Sequence, residues 1–190
     1  MEELIEIRWH GRGGQGVVTG SEMLAETALE EGKYFQALPE FGAERSGAPL
    51  RAYTRISSSP INLHCSITEP DVVVVLDPTL LGAIDVTEGL KEDGILIANS
   101  SLSPDDVRKR LNFHGGKCYT VDATRIAMDC IGRNIPNTPI LGALLRARPL
   151  VSLEDMAKTI KSRLGSRVSQ QVVEGNVKAL QRAFTEAQAG

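Results

Sequence analysis

The chain is poor in cysteine. Cys65, Cys118 and Cys130 lie 53 and 12 positions apart in 190 residues. No CxxC pair exists, which excludes the common zinc and iron–sulfur ligand patterns. An odd, dispersed set excludes a disulfide framework and suits free thiols in a reducing, cytoplasmic compartment. Histidine is scarce as well. His10, His64 and His114 have no ligand-spaced neighbours, so no metal site is expected on them. Long apolar runs are missing: the longest, Val72–Leu76, falls far short of the roughly 20 residues a bilayer span needs. Met1-Glu2-Glu3 is acidic where a secretion signal would be basic. There is no basic surplus either. With 21 Lys+Arg against 24 Asp+Glu the net charge is −3, which argues against a nucleic-acid binder. Eighteen glycines and nine prolines are too few for a low-complexity chain.

What is present is the composition of a soluble globular protein, 42% hydrophobic and 24% charged. The length suits one domain spanning residues 1–190, with an α/β core over 1–150 and a helical tail over 151–190. Charge is uneven along it. Residues 1–140 carry 13 Lys+Arg against 20 Asp+Glu, and residues 141–190 carry eight against four. The basic tail could face an acidic partner or be solvated helix surface.

Hydrophobic periodicity orders the elements. Ile5, Ile7 and Trp9 alternate with Glu6, Arg8 and His10, which predicts a strand over 4–10. Val17, Gly20, Leu24 and Ala28 share one face of a helix that Gly32 should end. Short strands are expected at 34–38, 50–56 and 61–67, the last two forming an antiparallel hairpin inserted after the second strand. The β-branched run Val72–Leu76 reads as a strand buried on both faces of a parallel sheet. A helix over 79–91, a strand over 95–99, a helix opened by Ser103-Pro104 and a strand over 117–121 follow. Arg108-Lys109-Arg110 ends that second helix and is expected to be a solvated, dipole-favoured terminus. Ser152 caps a further helix, and the final one carries Val173, Val177, Leu180 and Phe184 on one face. The expected fold is α/β: an open, Rossmann-like, mostly parallel sheet with an inserted β-hairpin and a C-terminal helical tail.

Four of the 18 glycines fall in Gly11-Arg12-Gly13-Gly14-Gln15-Gly16, between the first strand and the first helix. Gly11, Gly13 and Gly16 fit G-x-G-x-x-G. Such glycines permit a tight turn, close approach of a ligand, and close packing of helix on sheet. The helix N-terminus offers free N–H groups to an anion, and Arg12 adds a formal charge. A tight βα turn needs glycine in any case, so a purely structural turn stays open. A dinucleotide site also needs an acid near the end of the second strand, where Gln36 stands instead. A second candidate is the loop Glu40–Pro49. Its length and two glycines favour function: Glu44 and Arg45, followed by Ser46 and Gly47, could pair locally, orient a partner or contact a ligand, and a plain surface loop with a solvated ion pair stays open. Asp77, at the end of a buried strand, could meet a ligand or cap the next turn. No nucleophile–base pair and no acid–base pair can be assembled, so no catalytic residue is assigned.

Together these motifs resemble the gamma subunits of the pyruvate:ferredoxin oxidoreductase family. The matching segments are Ile5–Gly16, Gly32-Lys33-Tyr34, Phe41–Pro49 and Glu69–Asp77, and the resemblance runs over about residues 4–180. Ser46 departs from it, standing where many members carry arginine or glycine. The resemblance implies a subunit of an enzyme that oxidatively decarboxylates a 2-oxoacid with coenzyme A and passes electrons to ferredoxin. It implies thiamine diphosphate, magnesium and iron–sulfur clusters on the alpha, beta and delta partners, and no cofactor held by this chain alone. It further implies that the glycine turn and the Glu44–Gly47 loop face the active-site region or coenzyme A. Pyruvate, 2-oxoglutarate, 2-ketoisovalerate and indolepyruvate remain open as substrates. A stand-alone NAD(P)- or FAD-binding module and a ligand-free assembly protein remain open as alternatives. Neither nucleic acid nor membrane is expected as a partner.

Overall fold

A computed structural model describes residues 4–40 and 48–190. Seven strands form one sheet: β1 (Leu4–Arg12), β2 (Tyr34–Glu40), β3 (Pro49–Ser57), β4 (Val72–Val75), β5 (Ile95–Asn99), β6 (Lys117–Val121) and β7 (Gln188–Ala189). Their order is β2-β3-β1-β4-β5-β6-β7. The central β1, β4, β5 and β6 are parallel, whereas β2, β3 and β7 join their neighbours antiparallel. The helices are α1 (Val17–Glu30), α2 (Pro104–Leu111), α3 (Ala123–Ile131), α4 (Asn137–Ala147), α5 (Leu153–Gly165) and α6 (Gln170–Glu186).

The alternation of the valine strand explains the layering. Val72, Val74 and Leu76 face a large core shared with α1, α3, α4, α5 and α6. Val73 and Val75 face a smaller core closed by Val107 of α2 and by Leu80, Leu81 and Val86. All five are fully buried, so each face of the strand is covered, as the unbroken β-branched run requires. The predicted stripe Val17, Gly20, Leu24 and Ala28 is the buried face of α1. Helix α4 is buried along nine consecutive positions. It meets α6 closely, since a Cβ on Gly142 would lie 2.2 Å from the Leu180 carbonyl oxygen.

Three expectations change. The hairpin is β2–β3, with Phe35 opposite Ile56 and Gln36 opposite Arg55. Residues 61–67 form no strand; they run as irregular chain whose carbonyls at Ile61 and Leu63 accept from Gln36. A polar side chain reaching across has replaced a ladder. The segment after Val75 is no α-helix but a short 3-10 turn, Pro78–Leu80, followed by turns in which Gly82 and Gly89 take φ of 87° and 68°. Two left-handed residues in one segment prevent a continuous helix. Finally, Arg108 is not a merely solvated helix end. Its guanidinium donates to the carbonyls of Gly115, Gly116 and Gly190 and stacks 5.1 Å from the Phe113 ring centroid, holding the end of β7 against β6.

The basic residues of 151–190 are partly neutralised inside the chain. Arg163 of α5 pairs with Glu22 and Glu26 of α1, Arg182 with Asp129 and Glu186, and Lys158 with Glu154 and Asp155. Among the described residues no helix is long and apolar enough to cross a membrane.

Candidate functional site

In open α/β sheets ligands bind beyond the carboxyl ends of the strands, where connections diverge to opposite sides. Here that point lies between β1 and β4. The chain leaves β1 through α1 toward the hairpin, and leaves β4 toward β5 and β6. The glycine turn and Asp77 meet at this crevice.

The turn is built by its glycines and closed by polar side chains. A Cβ on Gly11 would stand 2.4 Å from Val17 Cγ2, so the first glycine lets α1 start close against β1. Gly16 caps α1 at φ 77°, and a Cβ there would stand 2.5 Å from Nδ2 of Asn137. Only glycine satisfies both the left-handed backbone and the contact with α4. Gly14 is also left-handed, at φ 92°, but open space surrounds it. Gly13 and Gly14 are exposed at the tip. Among the described residues no side chain caps α1, which leaves its first N–H groups for another partner such as a ligand or water.

Gln15 turns inward. Its Oε1 accepts from the Arg12 N–H at 2.8 Å, and its Nε2 donates to Asp77 Oδ2 at 2.6 Å. Arg12 reaches across the crevice to the same carboxylate at 3.3 Å and donates to Thr79 Oγ1 at 3.1 Å. Asp77 caps the 3-10 turn, accepting from the Thr79 N–H and hydroxyl at 2.8 and 2.6 Å. Burial opposes ionisation of Asp77 most strongly. The two Thr79 bonds, Gln15 and Arg12 together outweigh it and hold the carboxyl below its ordinary range. The result is a preorganised ring, Arg12–Gln15–Asp77–Thr79, under an exposed glycine tip. It presents fixed donors and one partly exposed guanidinium around the Asp77 carboxylate.

Of the residues singled out in the sequence, Gly11, Arg12, Gly13, Gly14, Gln15 and Gly16 come together here. Glu44, Arg45, Ser46 and Gly47 lie outside the described residues. Asp77 proves to be the anchor of the turn, and Thr79 was not visible as a contributor, because the sequence reads it as the start of a helix over 79–91. Gln36 projects to the carbonyls at 61 and 63 and to Arg55, not to the crevice. In a dinucleotide-binding fold the strand beside β1 on this side is the parallel second strand. Here antiparallel β3 occupies that place, so the carboxyl end of a parallel second strand, where the ribose-binding acid would stand, is absent beside the turn. The three cysteines sit apart: Cys65 is exposed, Cys130 is half-buried, and Cys118 is buried on β6. Burial pushes the Cys118 thiol up to about 11, so it stays protonated.

A β1–glycine turn–α1 unit on a parallel sheet, clamped to the end of the next parallel strand, defines an open α/β subunit with its turn at the β1–β4 switch point. The pyruvate ferredoxin/flavodoxin oxidoreductase family model matches residues 6–186, and the chain belongs to that family. It is 50% identical to the pyruvate synthase subunit PorC of Thermotoga maritima over 97% of this chain and 95% of that one. It is 51% identical to the common gamma subunit of the pyruvate/ketoisovalerate oxidoreductases of Pyrococcus abyssi, over 97% and 98%. The crystal structure of the Thermotoga maritima pyruvate oxidoreductase subunit PORC superposes with a TM-score of 0.87 at 48% identity, covering 99% of both chains.

Proposed function

We propose that this chain is the gamma subunit of a 2-oxoacid:ferredoxin oxidoreductase that converts a 2-oxoacid and coenzyme A to acyl-CoA and CO2 while reducing ferredoxin. The observation that carries this reading is the match with gamma-type subunits over nearly the full length of both chains at about half identity. Pyruvate is the favoured substrate, since the relatives named above bear it in their names. Alpha, beta and delta subunits would carry thiamine diphosphate, magnesium and the iron–sulfur clusters, within the cytoplasm. The residues of this chain then supply position and charge. The Arg12–Asp77 pair holds the glycine tip rigid, and the uncapped N–H groups of α1 with Arg12 favour the phosphates of coenzyme A. Glu44, Arg45, Ser46 and Gly47 are proposed as further contacts to coenzyme A or to a partner subunit.

The test is the reconstituted complex carrying Arg12→Gln or Gly13→Val. Loss of a phosphate contact should raise KM for coenzyme A by about tenfold with little change in kcat. An unchanged KM for coenzyme A in both variants would instead make the turn a structural element only.

A further inference from the structure

Helices α1, α4, α5 and α6, with the turn before α4, line a cavity of about 420 Å³ that the glycine turn does not use. Its lining comes from two stretches, residues 19–23 and 131–176. The walls are mostly apolar: Met23, Ile131, Ile135, Leu164, Val168 and Val172. Exposure separates mouth from floor. Arg133, Val168 and Ser169 are exposed, whereas Met23, Asn137, Thr138 and Asn176 are buried.

The floor carries one unspent donor. Thr138 donates to Asn176 Oδ1 at 2.9 Å, and Asn176 Nδ2 donates to the Val172 carbonyl at 2.8 Å, so both are occupied. Asn137, the first residue of α4, is 7% exposed. Its Oδ1 accepts from the Thr138 N–H at 2.9 Å, which fixes the end of the amide that is nitrogen. One side of that Nδ2 lies against Gly16, where a Cβ would stand 2.5 Å away. No described group accepts from it. Among the described residues the side-chain atom both sealed from solvent and unpaired is His10 Nδ1. The unpaired Asn137 Nδ2 therefore keeps accessible surface, and the cavity that Asn137 lines is where this surface opens.

The mouth is positive. Helix α6 begins there: Ser169 precedes it with no side-chain cap bond, and Val172 and Asn176 continue the same wall. Its free N–H groups and the positive end of its dipole thus face the opening. Arg133 lines the same mouth, and no ion pair or hydrogen bond holds its guanidinium among the described residues. No acidic residue is among the described lining.

We propose that this cavity binds a small carboxylic acid with an apolar body. The carboxylate accepts from Asn137 Nδ2, Arg133 and the α6 N-terminus supply the opposite charge, and the carbon chain lies on the apolar walls. A dianion such as phosphate is disfavoured, because one exposed guanidinium leaves the second charge uncompensated between apolar walls. The site stands on the cavity alone and does not depend on the place of the chain in a complex.

Nuclear magnetic resonance of the full chain, labelled with nitrogen-15, tests it. Hexanoate, hexan-1-ol, acetate and inorganic phosphate are titrated separately at constant ionic strength. Hexanoate should move the Asn137 side-chain amide and the Gln170 and Gln171 backbone signals along one saturable curve. Hexan-1-ol, which lacks the charge, and acetate, which lacks the body, should each bind at least about tenfold more weakly. Arg133→Gln, a change at an exposed residue, should weaken hexanoate by about tenfold and leave hexan-1-ol unchanged. An Asn137 amide unmoved by hexanoate would overturn the proposal. So would hexan-1-ol, acetate or phosphate binding as tightly as hexanoate, or hexanoate affinity unaffected by Arg133→Gln.

Discussion

Acidification should destabilise this chain through His10. The folded ring is held down to about 3, by burial first and then by Arg8 and Arg51, whereas an unfolded histidine titrates near about 6.5. Between those values the unfolded chain binds more protons than the folded one. Stability therefore rises with pH in that window and is lost as pH falls through it. Taking the two values at face, moving from about pH 8 to about pH 5 costs about 2 kcal/mol. For a chain of this size that is roughly 4–8 °C in Tm. The assay is equilibrium urea unfolding at a series of pH values, in carboxylate-free buffer, for the wild type and His10→Gln. The stability difference between them should shrink by about 2 kcal/mol on acidification, because the variant lacks the titrating ring. A difference that stays constant with pH would refute the reasoning, since it would mean that His10 accepts a proton equally in both states.

The glycine turn gives a paired prediction. Gly14→Ala meets only backbone strain, about 1 kcal/mol, because open space surrounds it. Gly16→Ala adds the overlap with Asn137 and should cost about 2–4 kcal/mol, so thermal unfolding should rank Gly16→Ala well below Gly14→Ala. Asp77→Asn removes the charged acceptor of Arg12, Gln15 and Thr79 and should cost about 1.5–3 kcal/mol near neutrality. The folded carboxyl lies below its unfolded value, so that stabilisation is full above about pH 4 and fades below it; urea unfolding of both chains from about pH 7 to about pH 3 should show the gap closing. Gly142→Ala drives a Cβ into the Leu180 carbonyl and should separate α4 from α6, lowering Tm by more than any turn variant.

The parts of the fold that rest on local pattern could be read directly. The strand at 95–99 and the strand at 117–121 coincide with β5 and β6, and Ser103 and Ser152 cap α2 and α5 by accepting from the N–H groups of Asp106 and Asp155. What misled depended on side chains reaching across the sheet. Residues 61–67 alternate like a strand, but their carbonyls are taken by Gln36 and Arg55, and β2 pairs with β3 in their place. The 79–91 segment has helical spacing, yet its glycines sit in left-handed conformations. In the candidate site, the glycines announced the turn. The clamp that locks it, Gln15 and Arg12 on Asp77 and Thr79, joins positions more than sixty residues apart and has no spacing signature.

The most direct test of the central claim is co-expression of the chain with the proposed thiamine-diphosphate-binding and ferredoxin-like partner subunits, followed by size-exclusion chromatography and a 2-oxoacid- and coenzyme A-dependent ferredoxin reduction assay. The account predicts that the chain elutes in stoichiometric complex with them and that leaving it out abolishes reduction. A chain that elutes alone, beside partners that are fully active without it, would contradict the account.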